Sequence, residues 1–186
     1  MNTTFEAIEK RYACRAFSGA AIPPEALHAV AAAGLHAPSG VNLQPWRIVA
    51  ISDPAVLAEL EQAGLRALKA WDEAGYERVL ARGGKLLYNA PAIIVVAKQP
   101  SEGPISVDLD VGIVISHLVL AAQSLGLDSC VVALLAAAFA GPDGAALKAK
   151  LSFPEGWEFG LAVLLGHAVS PGKPHEIDPA KLIELI

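Results

Sequence analysis

Pro38-Ser39-Gly40-Val41-Asn42-Leu43-Gln44-Pro45-Trp46 joins two segments of different periodicity. Before it, Pro23-Pro24-Glu25 opens a helix, since proline is tolerated in a first helical turn. Leu27, Val30, Ala31 and Gly34 then fall on one helical face, and Gly34 predicts a close approach by another element. After the junction, Arg47–Ser52 reads as a strand. Within it, Ser39 and Gly40 offer a hydroxyl and close backbone approach. Asn42 and Gln44 are two apart, so in an extended chain they face the same way. Each amide both donates and accepts. That suits a ligand edge alternating N–H and C=O, or a polyhydroxyl chain. The plainer alternative is a helix-to-strand turn rich in turn formers, with Pro45-Trp46 a rigid corner and core anchor. Such a turn does not require both amides, so a ligand is favoured.

Working outward, Thr3-Thr4-Phe5-Glu6 has capping-box spacing and predicts a helix to about Tyr12. Asp53-Pro54 caps a helix with Leu57, Leu60, Gly64, Leu65 and Leu68 on one side. Ala70–Asn89 mixes Trp71, Tyr76, glycines and charges, and no element is assigned to it. Ala92–Lys98 is continuous and β-branched, which predicts a buried strand. Pro100–Pro104 reads as a turn. Asp108–Leu125 predicts a helix apolar nearly all round, suited to a core or a subunit interface. Ser129–Leu134 and Glu158–Ala168 read as strands, Asp143–Leu151 as a short helix, and a helical turn follows Asp178-Pro179. Helices and strands interleave without a repeat or a linker. One domain over residues 1–186, of α/β or α+β class, is expected.

The chain is 54% hydrophobic with a mean hydropathy of +0.45. That excess suits helices buried on all sides together with a face covered by a partner subunit. It is not a membrane signal, because a span needs about 20 apolar residues in a row. Val131–Ala140 is too short, and Val111–Leu125 is broken by Ser116, His117, Gln123 and Ser124. The N-terminus carries Glu6, Glu9 and Lys10 and no apolar signal core, so a cytoplasmic location is expected. With 14 Lys+Arg against 19 Asp+Glu and no basic run, nucleic acid is not an expected partner. Cys14 and Cys130 form no CxxC pair, and the five histidines show no metal-ligand spacing. No GxGxxG follows a strand, and no GxSxG is present. Arg82-Gly83-Gly84-Lys85 is followed by Leu86, where a Walker loop needs a hydroxyl. The chemistry is therefore expected from a bound cofactor.

Arg11-Tyr12-Ala13-Cys14-Arg15-Ala16-Phe17 is the second informative segment. Arg11 and Arg15 are cations of the kind that hold a phosphate or an anionic ring edge. Alternatively, they are the last turn of a helix, where arginine complements the dipole. Together, Arg-x-x-x-Arg-x-Phe and Pro-Ser-x-x-Asn-x-Gln-Pro-Trp resemble the nitroreductase family of FMN-dependent oxidoreductases. Tyr88-Asn89-Ala90-Pro91, Leu118–Leu127 and Gly166-His167-Ala168 with the loop to Lys173-Pro174-His175 extend the likeness over nearly the whole chain.

The resemblance implies an α+β fold, a three-layer α/β/α arrangement with a central mixed sheet. It also implies an intertwined homodimer with FMN at the interface. Arg11, with Tyr12 and Ala13, matches the phosphate site, and Arg15 matches the cation beside the flavin pyrimidine. There it stabilises the negative charge that the flavin gains on reduction. Pro38, Ser39, Gly40, Asn42 and Gln44 match a flavin-contacting turn reaching across from the other subunit. Val132, Ala133 and Leu134 match a strand end whose backbone N–H approaches the ring, and Lys173 and His175 complete the phosphate clamp. The implied activity is ping-pong hydride transfer from NADH or NADPH through flavin N5 to an electron-poor acceptor: a nitroaromatic, a quinone or an activated alkene. No side chain is implied as acid or base. Alternatives are a reductive dehalogenase-like or flavin-fragmenting relative, with Ala70–Asn89 as its lid, and a non-enzymatic flavin carrier or redox sensor.

Four positions depart from the family pattern or stand beside it. Ala13 stands where serine is frequent, and His175 where arginine is frequent, which makes the clamp weaker and pH-sensitive near imidazole's reference pKa of about 6.5. His117 stands where many relatives carry asparagine, and is expected as a hydrogen-bonded interface histidine. Cys14, although between two arginines, is expected as a buried small side chain.

Overall fold

Ala92-Ile93-Ile94-Val95-Val96-Ala97 is buried at every position, as a β-branched run without polar breaks requires. This segment is the centre of the fold. The structure, a computed structural model, describes residues 3–101 and 106–184. Most of the expected Pro100–Pro104 turn lies outside the described residues.

Seven helices and four strands are described. The helices are α1 (Thr3–Lys10), α2 (Pro24–Gly34), α3 (Pro54–Trp71), α4 (Glu73–Ala81), α5 (Val107–Ser124), α6 (Ala136–Ala140) and α7 (Gly144–Lys150). The strands are β1 (Trp46–Ile51), β2 (Ala92–Lys98), β3 (Asp128–Val131) and β4 (Glu158–Gly166). Gly40–Asn42 and Pro179–Lys181 are short 3-10 turns, the second where a helical turn was expected. Asp53 caps α3 through Oδ1, which accepts from Ala55 N at 2.8 Å and Val56 N at 3.4 Å. Thr3 is already helical rather than a cap, and α1 ends two residues before the expected Tyr12.

The strands form one sheet in the order β1-β2-β4-β3. Its register runs from Trp46 opposite Lys98 to Ile51 opposite Ile93, and from Asp128 opposite Gly166 to Val131 opposite Val163. Side chains alternate between two cores. Ile93, Val95, Ala162 and Leu164 pack with Leu60, Leu68, Ala138 and Leu147 of α3, α6 and α7. Ala92, Ile94, Val96, Val163 and Leu165 pack with Val30, Val114 and Leu118 of α2 and α5. Helices on both sheet faces give the expected three-layer α+β fold. Gly34 makes the close approach its position predicted: a Cβ there would lie 2.7 Å from Ile48 Cδ1 and 2.9 Å from Leu118 Cδ2.

The expected mixed sheet is corrected. All three strand pairs are antiparallel, and the parallel contact is a one-residue bridge between Ala13 and Ser129. The reason is the number of helices in each connection. One helix returns the chain to the start of a strand, so the next strand runs parallel; two helices reverse it again. β1 reaches β2 through α3 and α4, and β3 reaches β4 through α6 and α7, so those neighbours are antiparallel. β2 reaches β3 through α5 alone and runs parallel to it, but β4 lies between them. Neither α4 nor α6 is assigned from the sequence, and the Ser129–Leu134 strand read there overruns β3 by three residues, which hides both helix pairs.

α5 is long and apolar enough to cross a membrane by length and composition, yet Val114, Leu118 and Ala122 are fully buried against the sheet and α2. Replacing the buried Leu118 by alanine should lower unfolding free energy by about 2–5 kcal/mol through lost transfer energy and cavity formation. Urea unfolding measures this, and a loss below about 1 kcal/mol would contradict the core assignment of α5.

Candidate functional site

The segment after α1 is not a helix end. Cys14 N–H donates to Ser129 O at 2.9 Å, Phe17 N–H to Tyr88 O at 3.1 Å and Ser18 N–H to His167 O at 2.9 Å. Val169 N–H returns a bond to Ala16 O at 2.9 Å. Residues 13–18 therefore form an extended strap across the β3 edge and the end of β4. Arg15 lies well beyond the last turn of α1, so the helix-dipole alternative fails for it; dipole effects fade within one turn. Both Arg15 and Ala13 are exposed.

The strap brings the expected clamp residues of the two chain ends together. Arg11 Nη2 lies 3.3 Å from His175 Nδ1, across 164 positions. A guanidinium only donates, so this nitrogen of His175 accepts. Lys173 is exposed on the same C-terminal segment. Gly172 fixes that segment against Tyr12: a Cβ on Gly172 would lie 2.0–2.6 Å from the Tyr12 ring, so only glycine permits the contact. Tyr12 Oη is buried without a hydrogen bond of good geometry. Burial, followed by the neighbouring Asp128 carboxylate, raises the Tyr12 phenol above its ordinary pKa. Asp128 also accepts from Ala168 N at 2.8 Å, tying β3 to the start of the tail. Asp128 and Gly172 carried no motif of their own; only the fold shows their roles.

The Pro38–Trp46 junction differs from the extended chain expected. Val41, Asn42 and Gln44 have φ of 44°, 58° and 49°, so the segment turns sharply instead of alternating. Asn42 and Gln44 do share one side, because Gln44 Nε2 donates to Asn42 Oδ1 at 3.1 Å. The two amides thus engage each other, through the left-handed turn rather than strand geometry. Ser39 Oγ accepts from Gln44 N at 2.9 Å, and Gly40 N donates to Asp110 Oδ1 at 3.1 Å. Pro38, Val41, Asn42, Leu43 and Gln44 are exposed. Asp110, buried on α5, was read only as part of an apolar helix.

The expected Ser129–Leu134 strand ends at Val131. Val132 N–H still pairs with Ala162 O at 2.9 Å and is occupied. The exposed Ala133 and Leu134 lie past this last ladder bond, where the chain turns into α6. His117 Nδ1 donates to Ile113 O at 2.9 Å, one helical turn back. The strap pairs with β3, whereas the Ser39–Gln44 turn leads into β1. These are opposite edges of the four-stranded sheet, about 14 Å apart at roughly 4.8 Å per strand. One chain therefore joins Arg11 to His175 but holds the turn apart from them.

Residues 8–167 match the Nitroreductase family. The chain belongs to that family. A solved nitroreductase with bound FMN from Desulfitobacterium hafniense superposes with a TM-score of 0.93 at 39% identity, covering 100% of both chains. Shorter segments are similar to two characterised proteins. One is an iodotyrosine deiodinase from Haliscomenobacter hydrossis, 37% identical over 59 residues, which are 32% of this chain and 27% of that protein. The other is an NADH dehydrogenase from Thermus thermophilus, 43% identical over 54 residues, 29% of this chain and 26% of that protein. These matches span about a quarter of each relative's length. Within this fold, the segment after α1 and the C-terminal tail bring Arg11 and His175 together.

Cys14 and Cys130 are both buried, and burial raises both thiols above their ordinary pKa; for Cys130 this outweighs the opposing pull of Arg15. A raised pKa leaves little thiolate. A thiol reagent at neutral pH should label neither cysteine in the native protein and both after denaturation. Fast native labelling would contradict their burial.

Proposed function

We propose that this chain is an FMN-dependent NAD(P)H oxidoreductase, a cytoplasmic homodimeric flavoprotein formed from one domain per subunit. The observation that carries the reading is the meeting of Arg11 and His175 at 3.3 Å from opposite ends of the sequence. The residues fit an anionic, planar cofactor. The phosphate end has a guanidinium beside an imidazole, with the exposed Lys173 two residues before that imidazole on the same segment, residue types suited to phosphate oxygens. The ring end has Arg15 and, from a second copy, the Ser39–Gln44 turn.

The dimer is supported by the sheet. The clamp and the turn occupy opposite edges of one chain, so two copies are needed to close a site around one cofactor. It is also supported by apolar side chains that a single chain leaves in water, including Val41 at 80% and Ile183 at 78% exposure. The solved relative with FMN bound supports the cofactor, and the segment similar to an NADH dehydrogenase supports the nicotinamide donor.

When bound, FMN supplies two-electron hydride chemistry between NADH or NADPH and an electron-poor acceptor such as a nitroaromatic, a quinone or an activated alkene. This chain's residues then bind and orient. Arg11, Lys173 and His175 hold the phosphate. Arg15 places positive charge beside the ring's pyrimidine edge. Ala133 and Leu134 bring backbone close to the ring, and the amides of Asn42 and Gln44 offer the ligand the donors and acceptors that their mutual bond leaves free. No side chain in this set has to act as acid or base; position and electrostatics provide the rate.

Purified protein should be yellow, and anaerobic NADH or NADPH should bleach the flavin absorbance in a stopped-flow experiment. A flavin that neither donor bleaches would instead make the protein a carrier or sensor. Arg11→Ala should stay folded and bind FMN about 10–100-fold more weakly, the value of a charge-assisted hydrogen bond. An FMN-replete Arg11→Ala protein would remove Arg11 from the clamp. His175→Gln, which loses the ring nitrogen beside Arg11, should bind FMN more weakly than the parent, and an unchanged affinity would exclude His175.

A further inference from the structure

The Ser39–Gln44 turn holds three non-glycine residues in the left-handed region, including the β-branched Val41 at φ 44°. That conformation is uncommon for any side chain and an outlier for valine. Four hydrogen bonds shape the turn from within. Asn42 N–H donates to Ser39 O at 3.1 Å and Leu43 N–H to Gly40 O at 3.0 Å. Gln44 donates from its backbone to Ser39 Oγ at 2.9 Å and from Nε2 to Asn42 Oδ1 at 3.1 Å. These bonds fix the turn's shape but not its place. The bond that leaves the turn is Gly40 N–H to Asp110 Oδ1, 3.1 Å, across 70 positions.

Asp110 is an unusual anchor. It is 5% exposed, one of two buried polar or charged residues among those described. It sits between Val107, Val111 and Val114, which face the α2–α5 core. Its second oxygen, Oδ2, is buried without a hydrogen-bond partner. Folded chains rarely leave a buried polar atom unpaired, and a leucine or alanine at this helical position would add no such atom. The early turns of α5 favour a carboxyl through the helix dipole. That explains why Asp110 is tolerated but not why it is buried beneath Gly40.

We propose that Asp110 is a positioning residue: its carboxyl holds Gly40, and through Gly40 the strained turn, in the place where the turn meets the cofactor. It acts through the backbone of the turn, and its task is placement rather than fold stability. The effect on FMN rests on the functional reading above, whereas the effect on Gly40 does not.

The test uses Asp110→Ala and Asp110→Asn in the otherwise complete protein. In protein freed of FMN, Gly40 amide exchange by NMR should speed up about tenfold or more in Asp110→Ala. It should stay near the parent rate in Asp110→Asn, whose amide oxygen keeps the acceptor. FMN titrated by fluorescence quenching should bind Asp110→Ala about tenfold or more weakly and Asp110→Asn within about threefold of the parent. Both cofactor-free variants should melt no more than about 4 °C below the parent, the shift of roughly 1 kcal/mol for a chain of this size. Unchanged Gly40 exchange or unchanged FMN affinity in Asp110→Ala overturns the proposal. So does an Asp110→Ala protein that melts further below or does not fold, because Asp110 would then be structural. If the parent protein binds no FMN, the functional reading fails, and Gly40 exchange alone decides whether Asp110 holds the turn.

Discussion

A sheet covered on both faces has no face left for a ligand. β2 is buried throughout Ala92–Ala97 and β4 throughout Ala162–Gly166, with α2 and α5 on one side and α3, α6 and α7 on the other. Binding groups must therefore come from strand ends, sheet edges and the segments laid over them. The strap after α1 follows the β3 edge, the tail leaves the end of β4, and the Pro38–Trp46 junction enters β1 at the far edge. The core thus divides the candidate site into two halves before any ligand chemistry is considered. A pairing of two chains, each offering one edge to the other, is the simplest arrangement that rejoins them.

What the residues disclosed in advance follows from the range of the interactions involved. Ala92–Lys98 was legible to its bounds because burial on both faces leaves an unbroken apolar run. α3 was legible because Asp53 and Pro54 mark its start and its leucines repeat at helical spacing. The direction of the strands was not legible. It depends on an even or odd number of helices between strands, and α4 and α6 are the weakest helical signals in the chain. α4 begins at an Asp72 cap that accepts from Gly75, amid mixed charges, and α6 is five residues long. Missing two short helices is a small local error, yet it changes a parallel crossover into an antiparallel neighbour.

The candidate site divides in the same way. Arg11, Arg15 and the Pro38–Trp46 junction could be named from residue types and spacing. The groups that hold them could not. Asp128 holds the start of the tail, Gly172 packs against Tyr12, and Asp110 reaches Gly40; each acts across a long sequence separation. The amides of Asn42 and Gln44 were placed together for the wrong geometric reason. Strand alternation would have set them side by side with their hydrogen-bonding groups free, whereas the left-handed turn bonds one to the other.

That difference has a consequence for binding. The mutual bond uses one N–H of Gln44 and one lone pair of Asn42, and leaves Gln44 Oε1, the second Gln44 N–H and the Asn42 NH2 group to meet a ligand, held in one arrangement by that bond. The other half of the candidate site is of another kind: Arg11 Nη2 meets His175 Nδ1 at 3.3 Å, joining the two ends of the chain. The two halves therefore differ in kind. The turn offers backbone and amide groups already held in a strained left-handed conformation, whereas the Arg11–His175 contact sets a guanidinium beside an imidazole across 164 positions.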